Sequence, residues 1–280
     1  MSMGVVASSP GARAVKQRRY SSVTAMTMCL AAKAQLAGYP RLVYCCDFLA
    51  TDDYSSYEDV SKYDVISAEL MALFSGPITA GTELLRLYRK RLAGVAITDD
   101  NIFALLQSPM EEFRKRVSER KTESPPQSVD LLIFGFVEAA PRIFYIGQQH
   151  ELQEHPMYCA IGSGAQAALP ILDWRGLSSM SRLDEVVYAA YEAKRIAEAG
   201  PPVGKKITLV AFMEPNGPSD FRLTVIPFDD LHYLAEAFET FGPKPLTPDW
   251  CLPGRITGAV ARSNLESTTS DSKSPLPSPE

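Results

Sequence analysis

Strand-like segments in this sequence lie as neighbouring pairs joined by turns, and helical segments stand between the pairs. Short apolar runs bounded by turn residues predict strands at 26–34, 41–49, 65–74, 130–138, 141–147, 157–161, 206–213 and 221–227. Helical periodicity predicts helices at 79–93, 99–121, 165–172, 182–199 and 231–241. Because hairpin-linked strands pair antiparallel, this order favours an α+β fold in which two antiparallel sheets lie between helix layers, a four-layer αββα sandwich.

Turn and capping residues set the expected boundaries of these elements. The tripeptide Gly38-Tyr39-Pro40 predicts the turn of the first hairpin, and Ala139-Ala140 predicts the turn of the second. The N-caps expected for three of the helices are Asp99, Ser181 and Asp229.

Length and composition predict one large domain with two tails. The chain has 280 residues, of which 46% are hydrophobic, so it can bury a sizeable core. Residues 1–26 are small, polar and basic, which predicts a disordered extension or propeptide, and residues 243–280 read as a disordered tail rich in Pro and Ser. The folded domain is therefore expected at 27–242.

The net charge and the cysteine pattern limit the kinds of partner and the cellular compartment that we expect. The net charge is −5 and the pI is near 5.4, so nothing in the overall charge favours nucleic-acid binding. The five cysteines include no CxxC pair, and most of them lie in apolar runs. This pattern favours buried free thiols in a reducing compartment, and we expect a cytoplasmic protein. No apolar run approaches the roughly 20 residues that a membrane helix needs, and a secretory signal is not expected.

The residues that point to chemistry begin with a threonine at the start of the first strand. Thr27 opens an apolar strand, and Lys62, Gly76 and Gly162-Ser163-Gly164 follow it along the chain. Together they indicate a hydrolase whose nucleophile is a threonine hydroxyl activated by the α-amino group of the same residue. That chemistry needs Thr27 at a mature N-terminus, so residues 1–26 must be removed.

Two starting points would expose a threonine. Translation from Met26 followed by methionine removal would leave Thr27 first, without any protease. Cleavage before Thr24 is the alternative. Thr27 is preferred because a small residue, Ala31, and a basic residue, Lys33, then follow the nucleophile at the expected positions.

Several segments in a fixed order carry a family resemblance. The second strand ends in an acid at Asp47, Lys62 precedes the next strand, and the corner Phe74-Ser75-Gly76 leads into a helix. The hairpin at 130–147 and the glycine-serine-glycine helix entry at 160–169 follow. Over about 27–241 the chain resembles the proteasome β-type subunits and the bacterial proteasome-related proteins of the N-terminal nucleophile hydrolase superfamily.

The resemblance implies a role for each residue of the set. Thr27 Oγ1 would be the nucleophile, and its freed amine would take and return the proton. Lys62 would favour ionisation of that hydroxyl by its positive charge, and Asp47 would hold Lys62 in place. The backbone N–H of Gly76 would bind the oxyanion, and Ser163 would hydrogen-bond near the amine.

The resemblance also implies a substrate pocket and partners. Ala50, Thr51 and Phe74 would line the pocket, with Phe74 at its base. The substrate would be a peptide or an unfolded protein, and no cofactor or metal would be needed. The chain would assemble with copies of itself into a ring or stack, fed by an ATP-dependent unfoldase, with no membrane and no nucleic-acid partner.

Two departures from the family pattern keep other functions open. The loop before the last hairpin, at 200–205, has neither the aspartate nor the serine that the family carries close to the nucleophile, and the first hairpin is longer than usual. A catalytically inactive structural subunit of the same fold and a small-amide hydrolase therefore remain alternatives. Lys62 with Asp47 favours an active enzyme.

Three other patterns have simpler explanations. The segment Gly162-Ser163-Gly164 could bind phosphate at a helix N-terminus, but it has neither the spacing nor the lysine of a phosphate loop. His150 and His155 are spaced as in a surface turn rather than as metal ligands. The four basic residues of 86–91 predict a solvated helix face or a subunit contact.

Overall fold

The computed structural model describes residues 27–47, 50–51, 56–57, 61–120, 128–147, 151–199, 203, 208–216 and 220–241. The predicted N-terminal extension and the predicted C-terminal tail lie outside the described residues. The loop at 122–127 and all of the loop at 200–205 except Val203 lie outside them as well.

The described residues form short strands and five helices in the predicted alternation. The strands are β1 (Cys29–Leu36), β2 (Tyr39–Asp47), β3 (Ala50–Thr51), β4 (Ser56–Tyr57), β5 (Tyr63–Val65), β6 (Leu70–Ser75), β7 (Asp130–Val137), β8 (Ala140–Gly147), β9 (Gln153–Glu154), β10 (Tyr158–Ile161), β11 (Thr208–Pro215) and β12 (Phe221–Val225). The helices are α1 (Ile78–Leu92), α2 (Ile102–Glu119), α3 (Ala165–Trp174), α4 (Leu183–Ala197) and α5 (Phe228–Phe241).

The strands build two five-stranded antiparallel sheets. The first sheet has the order β10-β1-β2-β11-β12, and the second has the order β5-β6-β7-β8-β9. The short strands β3 and β4 pair only with each other. The expectation of a mixed α+β fold with two antiparallel sheets is confirmed.

Alternation along the strands divides the buried side chains into three clusters. Met28 and Leu30 belong to a cluster that joins the first sheet to α3, α4 and α5. Cys29 and Ala31 point the other way, into the inter-sheet cluster, which contains residues of both sheets. A helix-side cluster joins the second sheet to α1 and α2, and Phe74 belongs to it. Each sheet therefore buries both faces, as its largely apolar strands require.

One predicted strand is wrong. The segment at 65–74 forms the end of β5 and all but the last residue of β6, with a turn between them. Ser67 causes the break, because its Oγ accepts the N–H groups of Glu69 and Leu70 at 3.2 and 3.1 Å. A side chain that satisfies backbone donors in this way competes with the strand ladder and favours a turn.

Both predicted hairpin turns lie earlier in the chain than expected. The first turn is at Ala37 and Gly38, with φ of 51° and 82°. The second turn is at Glu138 and Ala139, with φ of 50° and 64°. Two consecutive left-handed residues match the right-handed twist of the flanking strands, so the first turn has two residues instead of the three predicted, and the second lies one residue earlier.

The three predicted N-caps are wrong. Helix α2 begins after Asn101, and Asp99 forms an ion pair with Arg142 at 2.5 Å. Helix α4 begins after Arg182, and the Ser181 hydroxyl accepts the N–H of Ser178 at 3.0 Å. Helix α5 begins at Phe228, so Asp229 lies inside it.

Candidate active site

Thr27 lies two residues before the first residue of β1, not at the start of the strand as predicted. Its carbonyl oxygen accepts the N–H of Gly164 at 3.1 Å and the Ser163 hydroxyl at 3.5 Å. These contacts join Thr27 to the turn that enters α3. The Thr27 side chain is fully buried.

Glycine at position 162 allows this close approach. Gly162 has a φ of 88°, and a Cβ placed on it would lie 2.3 Å from the Thr27 carbonyl oxygen. A side chain at this position would clash with Thr27 and would need an unfavourable backbone conformation. The glycine-serine-glycine segment therefore supports Thr27. This contact explains the glycine at position 162 without phosphate binding.

Asp47 and Lys62 meet at the Thr27 hydroxyl. Lys62 Nζ lies 2.8 Å from Asp47 Oδ1 and donates to Thr27 Oγ1 at 2.6 Å. The side chains of Asp47 and Lys62 are 0% and 2% exposed. The contact expected between Asp47 and Lys62 is present, and it is a buried ion pair beside Thr27. Since an ion pair removed from water needs further hydrogen bonds to offset desolvation, the Thr27 hydroxyl is part of what stabilises it.

Different elements bring the three side chains together. Asp47 ends β2 in the first sheet, and its N–H donates to the Met28 carbonyl at 3.2 Å, which places it beside Thr27. Lys62 precedes β5 in the second sheet, where its carbonyl accepts the N–H of Phe74 at 3.0 Å. The site is therefore assembled where the ends of the two sheets meet.

The hydroxyl proton of Thr27 points to Asp47. Thr27 Oγ1 donates to Asp47 Oδ1 at 2.5 Å while it accepts from Lys62. The resemblance implied that Asp47 only holds Lys62, whereas in this geometry it also orients the hydroxyl. The Thr27 nitrogen is an amide as long as Met26 precedes it, and an amide nitrogen is not a base.

A cysteine missing from the predicted site also contacts Thr27. Cys29 Sγ lies 3.9 Å from Thr27 Oγ1 and 3.8 Å from the carbonyl oxygen of Phe74. Burial raises the pKa of this thiol to about 12, although the positive charge of Lys62 opposes the shift. Its spacing of two residues from Thr27 along an extended chain was the available signal, because such residues share a face.

Gly76 has a conformation that only glycine adopts easily. Its φ is 109°, and a Cβ would lie 2.4 Å from the carbonyl oxygen of Ser128. It follows β6 directly and stands two residues after Phe74, whose carbonyl contacts Cys29. This placement makes its backbone N–H a candidate oxyanion donor, and that role remains a prediction.

The predicted pocket residues are placed only in part. The ring of Phe74 lies against α1, since a Cβ on Gly81 would be 2.3 Å from its Cδ2. For Ala50 and Thr51 the structure describes the backbone, which forms β3, and not the side chains. The expected substrate pocket therefore remains a prediction.

The described residues contain no group of three or more His, Cys, Asp or Glu side chains that could hold a metal ion. Burial lowers the pKa of His155, whose backbone N–H donates to the Ile143 carbonyl at 2.8 Å. His150 lies outside the described residues. None of the described helices has both the length and the apolarity needed to cross a membrane.

Comparisons with known proteins do not identify a family. No family model matches this chain, and none of the curated proteins matches it.

Proposed function

We propose that this protein is a threonine-type peptidase whose nucleophile is Thr27 Oγ1, exposed by removal of residues 1–26. The observation that carries the proposal is the contact of one hydroxyl with a buried lysine and a buried carboxylate, at 2.6 and 2.5 Å. A threonine with only a structural role needs neither neighbour. Burying two opposite charges beside its hydroxyl costs desolvation free energy, so the pair is better explained by a role in chemistry. Groups of this kind activate hydroxyl nucleophiles.

The proposed fold is the four-layer αββα sandwich of the N-terminal nucleophile hydrolases. The three apolar clusters support it: one contains residues of both sheets, and each of the others joins one sheet to helices. In this arrangement the nucleophile and the oxyanion glycine come from different sheets.

The proposed reaction begins when the new N-terminal amine of Thr27 takes the proton of its own hydroxyl, directly or through a water. Thr27 Oγ1 then attacks the carbonyl carbon of the scissile bond, and the Gly76 N–H binds the oxyanion. The ammonium returns the proton to the leaving amine as the C–N bond breaks. Water, deprotonated by the same amine, cleaves the ester and restores Thr27.

Lys62 and Asp47 act on the charge and the direction of the hydroxyl. The Lys62 ammonium stabilises negative charge that develops on Oγ1 during attack. Asp47 fixes the position of Lys62 and, before cleavage exposes the amine, the direction of the Thr27 O–H bond. Both charges are shielded from water, which strengthens their effect at these distances.

A second candidate is a catalytically inactive subunit of the same fold. The observation in its favour is the complete burial of Thr27, which leaves no access for a substrate in this form of the chain. Intact mass separates the two candidates, because an active protein must begin at Thr27.

The proposal extends to assembly and location. We propose a homo-oligomeric ring or stack that encloses the active sites, with an ATP-dependent unfoldase as a partner. Exposed apolar side chains such as Trp174 and Met180, at 49% and 69%, are the surface that assembly would cover. The four described cysteines are free and buried, in keeping with the reducing cytoplasm we propose.

The test is N-terminal sequencing of the purified protein, followed by labelling with an electrophile selective for N-terminal threonine. We expect the sequence to begin at Thr27, and the label to lie on that residue and to abolish peptide turnover. A chain that keeps its first 26 residues, takes no label and cleaves no peptide would identify the inactive subunit. Turnover of small amides without turnover of peptides would identify a small-amide hydrolase.

A further inference from the structure

Cys29 contacts both halves of the proposed site. Cys29 is the first residue of β1 in the first sheet, two residues after Thr27, whereas Phe74 belongs to β6 of the second sheet. Cys29 Sγ lies 3.9 Å from Thr27 Oγ1 and 3.8 Å from the Phe74 carbonyl oxygen. One side chain therefore spans from the nucleophile to the strand that ends at the oxyanion glycine.

The backbone of Phe74 closes a ring of contacts around the hydroxyl. Its carbonyl accepts from Cys29, and its N–H donates to the Lys62 carbonyl at 3.0 Å. Lys62 Nζ in turn donates to Thr27 Oγ1 at 2.6 Å. Movement of Phe74 relative to Thr27 would therefore stretch both the cysteine contact and the lysine contact.

The protonated thiol of Cys29 can separate its neighbours without adding charge to the site. Complete burial raises the pKa of the thiol to about 12, so the sulfur carries a proton in neutral solution. A protonated thiol is a weak donor that the Phe74 carbonyl can accept, and it adds no charge beside Lys62. The sulfur is fully buried 3.9 Å from Oγ1, and a gap left there by a smaller side chain would be costly in a packed interior.

We propose that Cys29 is a positioning residue that holds the Thr27 hydroxyl at a fixed spacing from the strand of the oxyanion glycine. This inference rests on the proposed threonine-hydrolase function. It assigns Cys29 no covalent step. Its effect is on the alignment of nucleophile and oxyanion donor, where a displacement of about 1 Å can lower turnover by roughly a hundredfold.

The first experiment compares turnover of three variants. Each is made in the full chain, and its N-terminus is sequenced so that preparations with the same mature end are compared. We expect Cys29→Ala to lower kcat by roughly tenfold to a hundredfold with little change in KM, since alignment and not substrate binding is lost. Cys29→Ser keeps a donor to the Phe74 carbonyl, and we expect it to recover most of kcat.

The matched control is Cys159→Ala. Cys159 is a buried cysteine of the same inter-sheet cluster, and its thiol donates to the carbonyl of Ala160 at 3.9 Å. The variant removes the same atom from the same core, and we expect kcat within about twofold of wild type. Equal losses of kcat for Cys159→Ala and Cys29→Ala would overturn the proposal, because they would reflect core damage alone.

A second measurement does not depend on turnover. Denaturation midpoints of Cys29→Ala, Thr27→Ala and the double variant form a cycle that reports coupling between the two side chains. We expect a combined shift clearly smaller than the sum of the single shifts, whereas Cys159→Ala with Thr27→Ala should be additive. Additive shifts for Cys29 and Thr27 would overturn the positioning proposal. If the wild type cleaves no peptide but the midpoint shifts of Cys29→Ala and Thr27→Ala are not additive, the proposed function is overturned while the contact between the two side chains stands.

Discussion

The Thr27 hydroxyl donates to a carboxylate oxygen of Asp47 at 2.5 Å, across a separation of 20 residues in the chain. Lys62 contacts both atoms of this hydrogen bond, at 2.6 and 2.8 Å. The hydroxyl is thus held between a positive and a negative charge, both buried. Such a site serves either to stabilise the fold or to activate the hydroxyl, and the two purposes predict different effects of mutation.

Replacing Thr27 by alanine is expected to abolish hydrolysis and leave the fold intact. Loss of a covalent nucleophile should lower turnover by roughly a thousandfold or more. Peptide turnover and circular dichroism of the purified variant are the measurements. Thr24→Ala is the matched control and should stay active. Full turnover by Thr27→Ala, or an inactive Thr24→Ala, would show that the nucleophile is assigned to the wrong residue.

Removing one partner of the buried ion pair is expected to destabilise the protein strongly. Asp47→Ala leaves the Lys62 ammonium buried without its carboxylate, which should cost about 3–5 kcal/mol of unfolding free energy. Denaturant titration measures this cost. The double variant Asp47→Asn with Lys62→Met should cost less than Asp47→Ala, because neither charge is then stranded.

The control for the ion pair is an exposed one. Arg116 and Glu112 lie 2.5 Å apart, with side chains 44% and 52% exposed. Water screens this pair, so Glu112→Ala should change the unfolding free energy by no more than about 1 kcal/mol. Equal effects of Asp47→Ala and Glu112→Ala would contradict the buried pair.

Stability is expected to fall in alkaline solution. Burial raises the pKa of Cys29 and of Cys159 from 9.0 to about 12, and it raises the pKa of Cys45 and Cys46 in the same direction. Above pH 9.0 the unfolded chain therefore binds fewer protons than the folded chain, and rising pH favours unfolding. The contribution of Cys29 and Cys159 is complete below pH 9.0 and is lost towards about pH 12.

Urea titrations from about pH 8 to about pH 10.5 check this expectation. Cys159→Ala should reduce the dependence on pH, because one shifted thiol is gone. It should not remove the dependence, since burial also raises the pKa of Tyr44 and Tyr88. A stability that stays constant over this range would contradict the burial of the thiols.

Cleavage is expected to favour small residues before the scissile bond. The resemblance places Phe74 at the base of the specificity pocket, where its ring would exclude large side chains. A peptide library measures the preference, and Phe74→Leu should shift it towards larger residues. Phe136→Leu is the control, because Phe136 is equally buried at 2% but lies in the inter-sheet cluster. Faster cleavage after Phe or Leu than after Ala by wild type would show that Phe74 does not form the pocket base.

The protein is expected to assemble into a closed oligomer. Obligate contacts between subunits should bury more than about 2,000 Å² per interface. Light scattering at micromolar concentration measures the mass, and truncation after Pro253 should leave it unchanged because that segment has the composition of a disordered tail. A species at the 30.7 kDa chain mass at every concentration would contradict a ring.

The type and order of most elements were predictable from the sequence, whereas their boundaries were not. The periodicity of apolar residues predicted the long hairpins and all five helices. The break at Ser67 and the turn at Glu138 and Ala139 were missed, because they depend on a local side-chain bond and on left-handed backbone at residues other than glycine. Two predicted caps were wrong because their side chains have other partners: Asp99 forms an ion pair with Arg142, and Ser181 accepts the N–H of Ser178. The third was wrong because α5 begins one residue before Asp229.

The sequence by itself determined which residues could carry the chemistry, and the tertiary structure decided which of them meet. Asp47 and Lys62 were named from their order in the chain, but their contact with Thr27 needs the ends of two sheets to come together. Cys29 entered the site only because β1 faces β6, a contact across sheets that no local periodicity encodes. Periodicity reports which face of an element is buried, and only packing fixes what that face meets.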